Sequence, residues 1–427
     1  MGWLADGLIL ARKWRKQTVL SPGSVFVQIP QMKAMKTLMI LAAAALLSAA
    51  SAQNEYADAA RELDETIAAN YAYLNKLPGA QLPQSNILRR EREAVHDERS
   101  LLVYAEKRIA SLADHHAITG SSFRDSWAVI PTYADLWIVH DGDQFVIDAV
   151  RDGSPADKSG LGSGDVIVAV DGLQINRAVS DFWQELGLPV THARAEYAAR
   201  ILVAGRRDRV RRITVRSQAG TTREVLLLSM YAMEQPTRPP VSVCNTDEYV
   251  IVRFNNSLGE SATIEAFDEV MRAIPDDDVL VLDLRDTPSG GNTKVARGIM
   301  GWFVSTPQGY QIHNRPAEER VTGIPRQWIE QVLPREGRHR SRLPTILVGR
   351  WTGSMGEGLA VGFDALGAKI YGTRMAGLKG SVEDLRLGET DLFIKLPTER
   401  LLTVAGIPRE DFVPLEPPSG ELVSGSC

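Results

Sequence analysis

Apolar positions along this 427-residue chain follow three successive rhythms. From Glu55 to about Ala117 they recur at helical spacing in a background of Ala, Leu, Glu and Arg, with breaks at Pro78 and Pro83. This predicts a small helical domain, assigned to residues 53–124. Within it the charged stretch RREREAVHDERSLL (89–102) reads as one helix with a solvated face. From about Asp125 to Ser229 the pattern shortens to strands and turns centred on QFVIDAVRDGSPADKSGLGSGDVIVAVDG, a β domain assigned to 125–232. The proline-rich EQPTRPPVSV then reads as a linker. Beyond it, apolar strands (YVIVRF, VLVLDL, TILVG) alternate with amphipathic helices (IEAFDEVMRAI, TKVARGIMGWFV, GEGLAVGFDAL). That alternation predicts an α/β domain over 233–427, and the fold class is therefore α/β and multidomain.

The first 52 residues read as a leader. Met35 and Lys36 precede an apolar run from Leu38 to Leu47, and Ala50, Ser51 and Ala52 form an A-x-A cleavage pattern, so the expected mature chain starts at Gln53. Residues 1–34 are superfluous to a signal peptide that begins at Met35, which is the preferred start. The run falls short of the roughly 20 residues needed for a membrane span, and no later segment qualifies. These features predict a secreted or periplasmic protein without a transmembrane helix.

Charge and cysteine usage narrow the classes further. The formal net charge is −5, and without the leader 42 Lys/Arg stand against 52 Asp/Glu, a balance that argues against nucleic acid as partner. Only Cys244 and Cys427 are present, so there is no disulfide framework, and the histidines are dispersed apart from His115 and His116. No HExxH or CxxC occurs, and neither a metal nor another cofactor is expected. The basic run GRRDRVRR (Gly205 to Arg212) reads as a solvated turn.

Candidate chemistry centres on Ser354, which opens a helical pattern after a strand and a glycine-rich turn (TILVGRWTGSMGEGLAVGF). Lys379 follows in YGTRMAGLKGSV, and no histidine lies downstream of His339. A serine hydroxyl is a weak nucleophile near neutral pH, and a deprotonated lysine is among the few groups able to take its proton. S-x-x-E from Ser354 to Glu357 is also a helix capping box. Upstream, DVLVLDLRDTPSGGN predicts a buried strand over Val279 to Leu284, a turn containing Pro288, Gly290 and Gly291, and a helix from about Asn292. Glycines there let backbone amides approach a reacting carbonyl.

These stretches resemble the C-terminal processing (tail-specific) peptidases, serine enzymes with a PDZ domain and a Ser-Lys dyad. The matching segments are DLRDTPSGG (Asp283 to Gly291), GSMGE (Gly353 to Glu357) and LKGSVE (Leu378 to Glu383). The resemblance implies a crotonase-like core of repeated β-β-α units, a PDZ-like insertion at 125–232 and a helical N-terminal segment. It implies Ser354 as nucleophile, Lys379 as general base, and an oxyanion between the amides of Met355 and Gly290, with Gly291 as substitute because DTPSGG has a serine where the family has its first glycine. Glu383 stands where the family commonly places a glutamine that orients the lysine, and a carboxylate there would oppose deprotonation of Lys379. The PDZ-like domain would take an extended peptide along Leu136, Trp137 and Ile138, although YADLWI lacks the glycines usual in a carboxylate-binding loop. The implied partners are polypeptides, among them envelope proteins. Two other readings remain: a non-catalytic peptide-binding protein, and a serine protease whose base is a histidine, with His116 or His140 as candidates.

Overall fold

The computed structural model describes residues 55–233 and 237–417. The leader, the Gln53 start and Cys427 lie outside the described residues. Among those described, no helix is long and apolar enough to cross a membrane.

The N-terminal part contains α1 (55–70), α2 (Asn86–Glu93) and α3 (Glu98–Ala110), followed by the short strand β1 (Ile118–Thr119). The charged stretch 89–102 is two helices rather than one. Asp97 is the cause: its carboxylate accepts the Ser100 amide and starts α3 afresh, and α2 has already stopped at Ala94. Helix α1 buries Ala59, Ala60, Leu63 and Ile67, a helical stripe. This stripe shares one core with Leu101, Ala105 and Ile109 of α3 and with Leu387, Leu392, Ile394 and Leu396, nearly 300 residues downstream. The helical segment thus completes its core with strands of the C-terminal domain.

The second part is a sheet of order β2-β3-β4-β6-β7, with β5 beside β4. Its elements are β2 (Leu136–Asp141), β3 (Gln144–Val150), α4 (Pro155–Lys158), β4 (Val166–Val170), β5 (Leu173–Gln174), α5 (Ile175–Gln184), α6 (His192–Ala204), β6 (Arg211–Arg216) and β7 (Thr222–Leu227). The basic run 205–212 departs from a solvated turn. Arg211 is buried and ion-paired with buried Asp135, while Arg206 stacks on Trp127 and Arg207 on Tyr231. A buried guanidinium needs its charge and donors matched; Asp135 takes the charge at Nη2 and the Ala204 carbonyl accepts from Nη1, while Nε has no partner.

The third part holds two sheets. One has the order β14-β13-β10-β9-β8 and is parallel except at its β8 edge. It comprises β8 (Val241–Asn245), β9 (Val250–Phe254), α7 (Ala262–Ala273), β10 (Leu280–Asp283) and α8 (Thr293–Met300), then after an excursion β13 (Thr345–Val348), α10 (Met355–Ala365) and β14 (Lys369–Gly372). Strand β10 is buried along its whole length, as its continuous apolar run requires in a parallel sheet. The excursion is β11 (Gln308–Asn314), α9 (Pro316–Thr322) and β12 (Gln327–Val332). With β1, β15 (Ser381–Arg386) and the long β16 (Phe393–Leu402) it forms the other sheet. Strand β16 pairs with β15 along one edge; along the other it pairs with β1 at Ile394 and Lys395 and with β11 at Arg400 to Leu402.

His313 of β11 ties this sheet together from within. Its Nδ1 lies 2.9 Å from Glu399 Oε2 on β16 and its Nε2 3.1 Å from Glu330 Oε2 on β12, with the ring stacked on Trp328. Burial alone would lower its pKa, but the two carboxylates outweigh burial and raise it from 6.5 to about 9. A folded-state pKa above the unfolded one gives stability that is full below about pH 6.5 and lost as pH rises through about 9. His313→Gln is expected to cost roughly 3 kcal/mol near pH 6. Thermal melts from pH 6 to 10 should show the gap to wild type closing at the alkaline end; a gap independent of pH would rule out this role.

Candidate active site

Ser354 sits where β13 hands over to α10, in a turn that the local sequence builds tightly. Thr352 and Thr287 both donate their hydroxyls to the Leu284 carbonyl, and the Gly353 amide donates to Thr287 O at 3.2 Å. These bonds zip the serine turn to the turn after β10. Ser354 itself has φ 52° and ψ −109°, a positive φ unusual for a residue with a Cβ. Such strain at a reactive serine is held by its surroundings, here by its amide donating to Glu357 Oε2 at 2.8 Å. The glutamate half of the capping box is therefore formed.

The hydrogen-bond partner of the Ser354 hydroxyl is His116, with Nε2 at 3.0 Å from Oγ. On the other side of the ring, Nδ1 lies 2.6 Å from the Lys379 carbonyl oxygen. A carbonyl only accepts, so Nδ1 carries the proton and Nε2 is left to accept from the serine. Desolvation by the surrounding protein, helped by the charge of Arg409, pushes the imidazole from 6.5 down to about 4, so the ring is neutral at physiological pH. Two residues after His116 the chain enters β1, which is paired to β16. The His116 amide donates to Asp114 Oδ1 at 3.0 Å, and Asp114 also accepts the Tyr71 hydroxyl at 2.7 Å. Helix α1, α3 and β1 together thus place an N-terminal histidine on a C-terminal serine.

The structure puts the other expected residues as follows. Lys379 gives its carbonyl to His116, while its ammonium lies 4.0 Å from Asp114 Oδ2 and over the Tyr73 ring. Its side chain is thus drawn to a buried carboxylate rather than bonded to the serine hydroxyl. Glu383 does not bear on the lysine: it is held by Arg315, with both carboxylate oxygens within 3.0 Å of Nη2. His140 belongs to the β domain, stacked on Phe145, and plays no part here. Met355 is the first residue of α10, so its amide points out of a helix N-terminus. Gly290, at φ 66°, stands directly against the serine: a Cβ there would lie 2.4 Å from Ser354 Cβ and 3.0 Å from the Met355 nitrogen. Its own amide closes the turn onto Thr287 O at 3.2 Å. Gly291 faces the other way, where a Cβ would meet the Leu258 carbonyl oxygen at 2.1 Å.

Leu136, Trp137 and Ile138 begin β2, an edge strand with all three side chains buried. The edge is not vacant for a peptide in this state. Arg200 of α6 lies over the Trp137 ring and donates to the Ile138 carbonyl at 2.9 Å, and His192 Nε2 lies 3.0 Å from the His140 carbonyl. Residues two apart on a strand present carbonyls to the same side, so α6 occupies the row that an added strand would use. Among the described residues no His, Cys, Asp and Glu cluster could hold a metal.

Gly290→Ala is expected to slow labelling of Ser354 by a fluorophosphonate at least ~100-fold and to lower the melting temperature as well, because at φ 66° the methyl is strained and invades the space beside Ser354. Gly291→Ala, whose methyl meets the Leu258 carbonyl, should lower the melting temperature with a smaller effect on labelling. Equal labelling of Gly290→Ala and wild type would show that this space is not used.

Residues 146–184 match the model of the PDZ domain, and residues 250–411 match the model of peptidase family S41. Among solved structures, the photosystem II D1 C-terminal processing protease is similar with a TM-score of 0.54 and 18% identity, over 85% of this chain and 93% of that one. Mature CPAF is similar with a TM-score of 0.50 and 13% identity, over 84% and 92% of the two chains. These two likenesses are likenesses of fold. No match to a curated protein was found. A PDZ-like segment leading into a core that matches the S41 peptidase model, with its serine at the head of a helix, makes this chain a serine-type peptidase.

Proposed function

We propose that this peptidase cuts polypeptides through an acyl-enzyme on Ser354 with His116 as general base. The single observation that carries this reading is the 3.0 Å contact between His116 Nε2 and Ser354 Oγ, with Nδ1 committed to a backbone carbonyl. Ser354 Oγ attacks the peptide carbonyl carbon as its proton passes to Nε2. The negative oxygen that forms is taken by the Met355 amide at the head of α10, in the space that Gly290 leaves open by having no side chain. Nε2 then gives the proton to the leaving amine as the C–N bond breaks. Water, deprotonated by the same nitrogen, releases the acyl group and returns the proton to Oγ. Lys379 serves through its carbonyl, which fixes the tautomer, and its ammonium adds positive charge near the site.

The Ser354–Lys379 dyad is the competing reading, supported by the family motif LKGSVE. The Lys379 ammonium lies 4.0 Å from Asp114 Oδ2 while the Ser354 hydroxyl meets His116, and this geometry counts against the dyad. We further propose that the chain is exported, cleaved after Ala52, and acts on envelope proteins, with the PDZ domain admitting an extended segment once α6 releases the β2 edge. The support for export is the leader's apolar run and A-x-A pattern.

Fluorophosphonate labelling of residues 53–427 decides between the bases. His116→Ala is expected to lose labelling by roughly 10³-fold or more, while Lys379→Ala, which keeps the carbonyl, loses about 10-fold or less. Full labelling of His116→Ala with none in Lys379→Ala would establish the lysine base instead.

A further inference from the structure

Glu357 is a fully buried carboxylate that the chemistry above does not use. It occupies the third position of α10 and accepts three backbone amides from two separate segments. Ser354 N reaches Oε2 at 2.8 Å, Gly377 N reaches Oε1 at 2.8 Å and Leu378 N reaches Oε2 at 3.2 Å. The first of these holds the strained nucleophile, and the others hold the segment whose next residue, Lys379, anchors His116 by its carbonyl. Arg409 grips that segment from the opposite side, donating to Leu378 O and Gly380 O at 2.9 Å, with Nη2 4.0 Å from Glu357 Oε2.

We infer that Glu357 is a positioning residue whose negative charge locks nucleophile and base in register, so that adding a proton to it switches the peptidase off. Three N–H donors converge on two oxygens, which suits a carboxylate; a carboxylic acid has to place one O–H among donors it cannot bond. The loosened side chain would free the Ser354 amide and the Lys379 carbonyl together. A displacement of about 1 Å at such a site costs on the order of 10²-fold in rate.

Burial raises Glu357 from 4.5 to about 7, against the opposing pull of Arg409 and the three amides. Proton traffic has a path, because Glu357 lines a cavity of ≈ 260 Å³ between the PDZ domain and the protease core. The charged groups facing it there are Arg200 and Glu196 from α6, Arg350 and Arg374 from the serine and lysine turns, and Arg409 and Glu410 from the C-terminal turn. Since His116 titrates near 4, the acid limb of activity should belong to Glu357, near 7.

This inference rests on the His116 reading, and labelling rates of Ser354 measured from pH 4 to 9 separate the two. Wild type should gain rate through about pH 7. Glu357→Gln should be roughly 10²-fold slower at pH 8 and flat between pH 6 and 8. Arg409→Gln, which removes the opposing charge, should move the wild-type limb upward in pH. A Glu357→Gln profile that keeps the wild-type limb would overturn the inference and leave His116 as base. Undiminished labelling of His116→Ala would overturn the base assignment whatever Glu357 does.

Discussion

The double-sided pairing of β16 is the constraint on which the active site depends. One edge binds β15, which begins two residues after Lys379, and the other binds β1, which begins two residues after His116. A single strand therefore delivers the imidazole and the carbonyl that orients it to the same place. Neighbouring strands are spaced at about 4.8 Å, so β1 and β15 lie two spacings apart, and the residues that precede each strand close that gap to the 2.6 Å bond between His116 and Lys379 O. The buried histidine between Glu330 and Glu399 secures the same sheet farther along, where β11 takes over from β1 beside β16.

The three sequence domains do not behave as three separate cores. The helical segment packs on Leu392, Ile394 and Leu396, and the PDZ core extends into Trp351, Ala376 and Leu378 of the serine and lysine turns. Trp351 also donates its indole N–H to the Ala134 carbonyl at 2.7 Å, and Arg350 joins Asp148 of β3 to the Met375 carbonyl. The PDZ domain is thereby in direct contact with the residues flanking Ser354.

Much of this was legible in the sequence, and what escaped it did so for physical reasons. The glycine turn after β10, the serine at the head of α10 and the strand-turn-helix order of the PDZ domain are local patterns, and local patterns survive in one dimension. The role of His116 is not local: its partner lies 238 positions away and is reached only through the β1–β16 pairing. The adjacent His115 and His116 were the faint signal, and the two diverge fully, His115 stacking on Tyr197 while His116 faces the serine. The family pattern puts Glu383 where a glutamine would orient Lys379, but it lies within β15, and Arg315, which precedes α9, claims it. In the basic run 205–212 the centre is an exposed turn, but local charge says nothing about one buried carboxylate, Asp135, that takes the Arg211 guanidinium.

The separation of His116 from Ser354 also bears on how such an enzyme is made. Protein synthesis runs from the N-terminus, so His116 leaves the ribosome long before Ser354, and the strand that joins them, β16, comes later still. A nascent peptidase therefore carries no assembled active centre while its own unfolded length is most exposed to cutting. Among the described residues β16 is the last strand to be made, and the contact between His116 and Ser354 therefore waits until the chain is nearly complete.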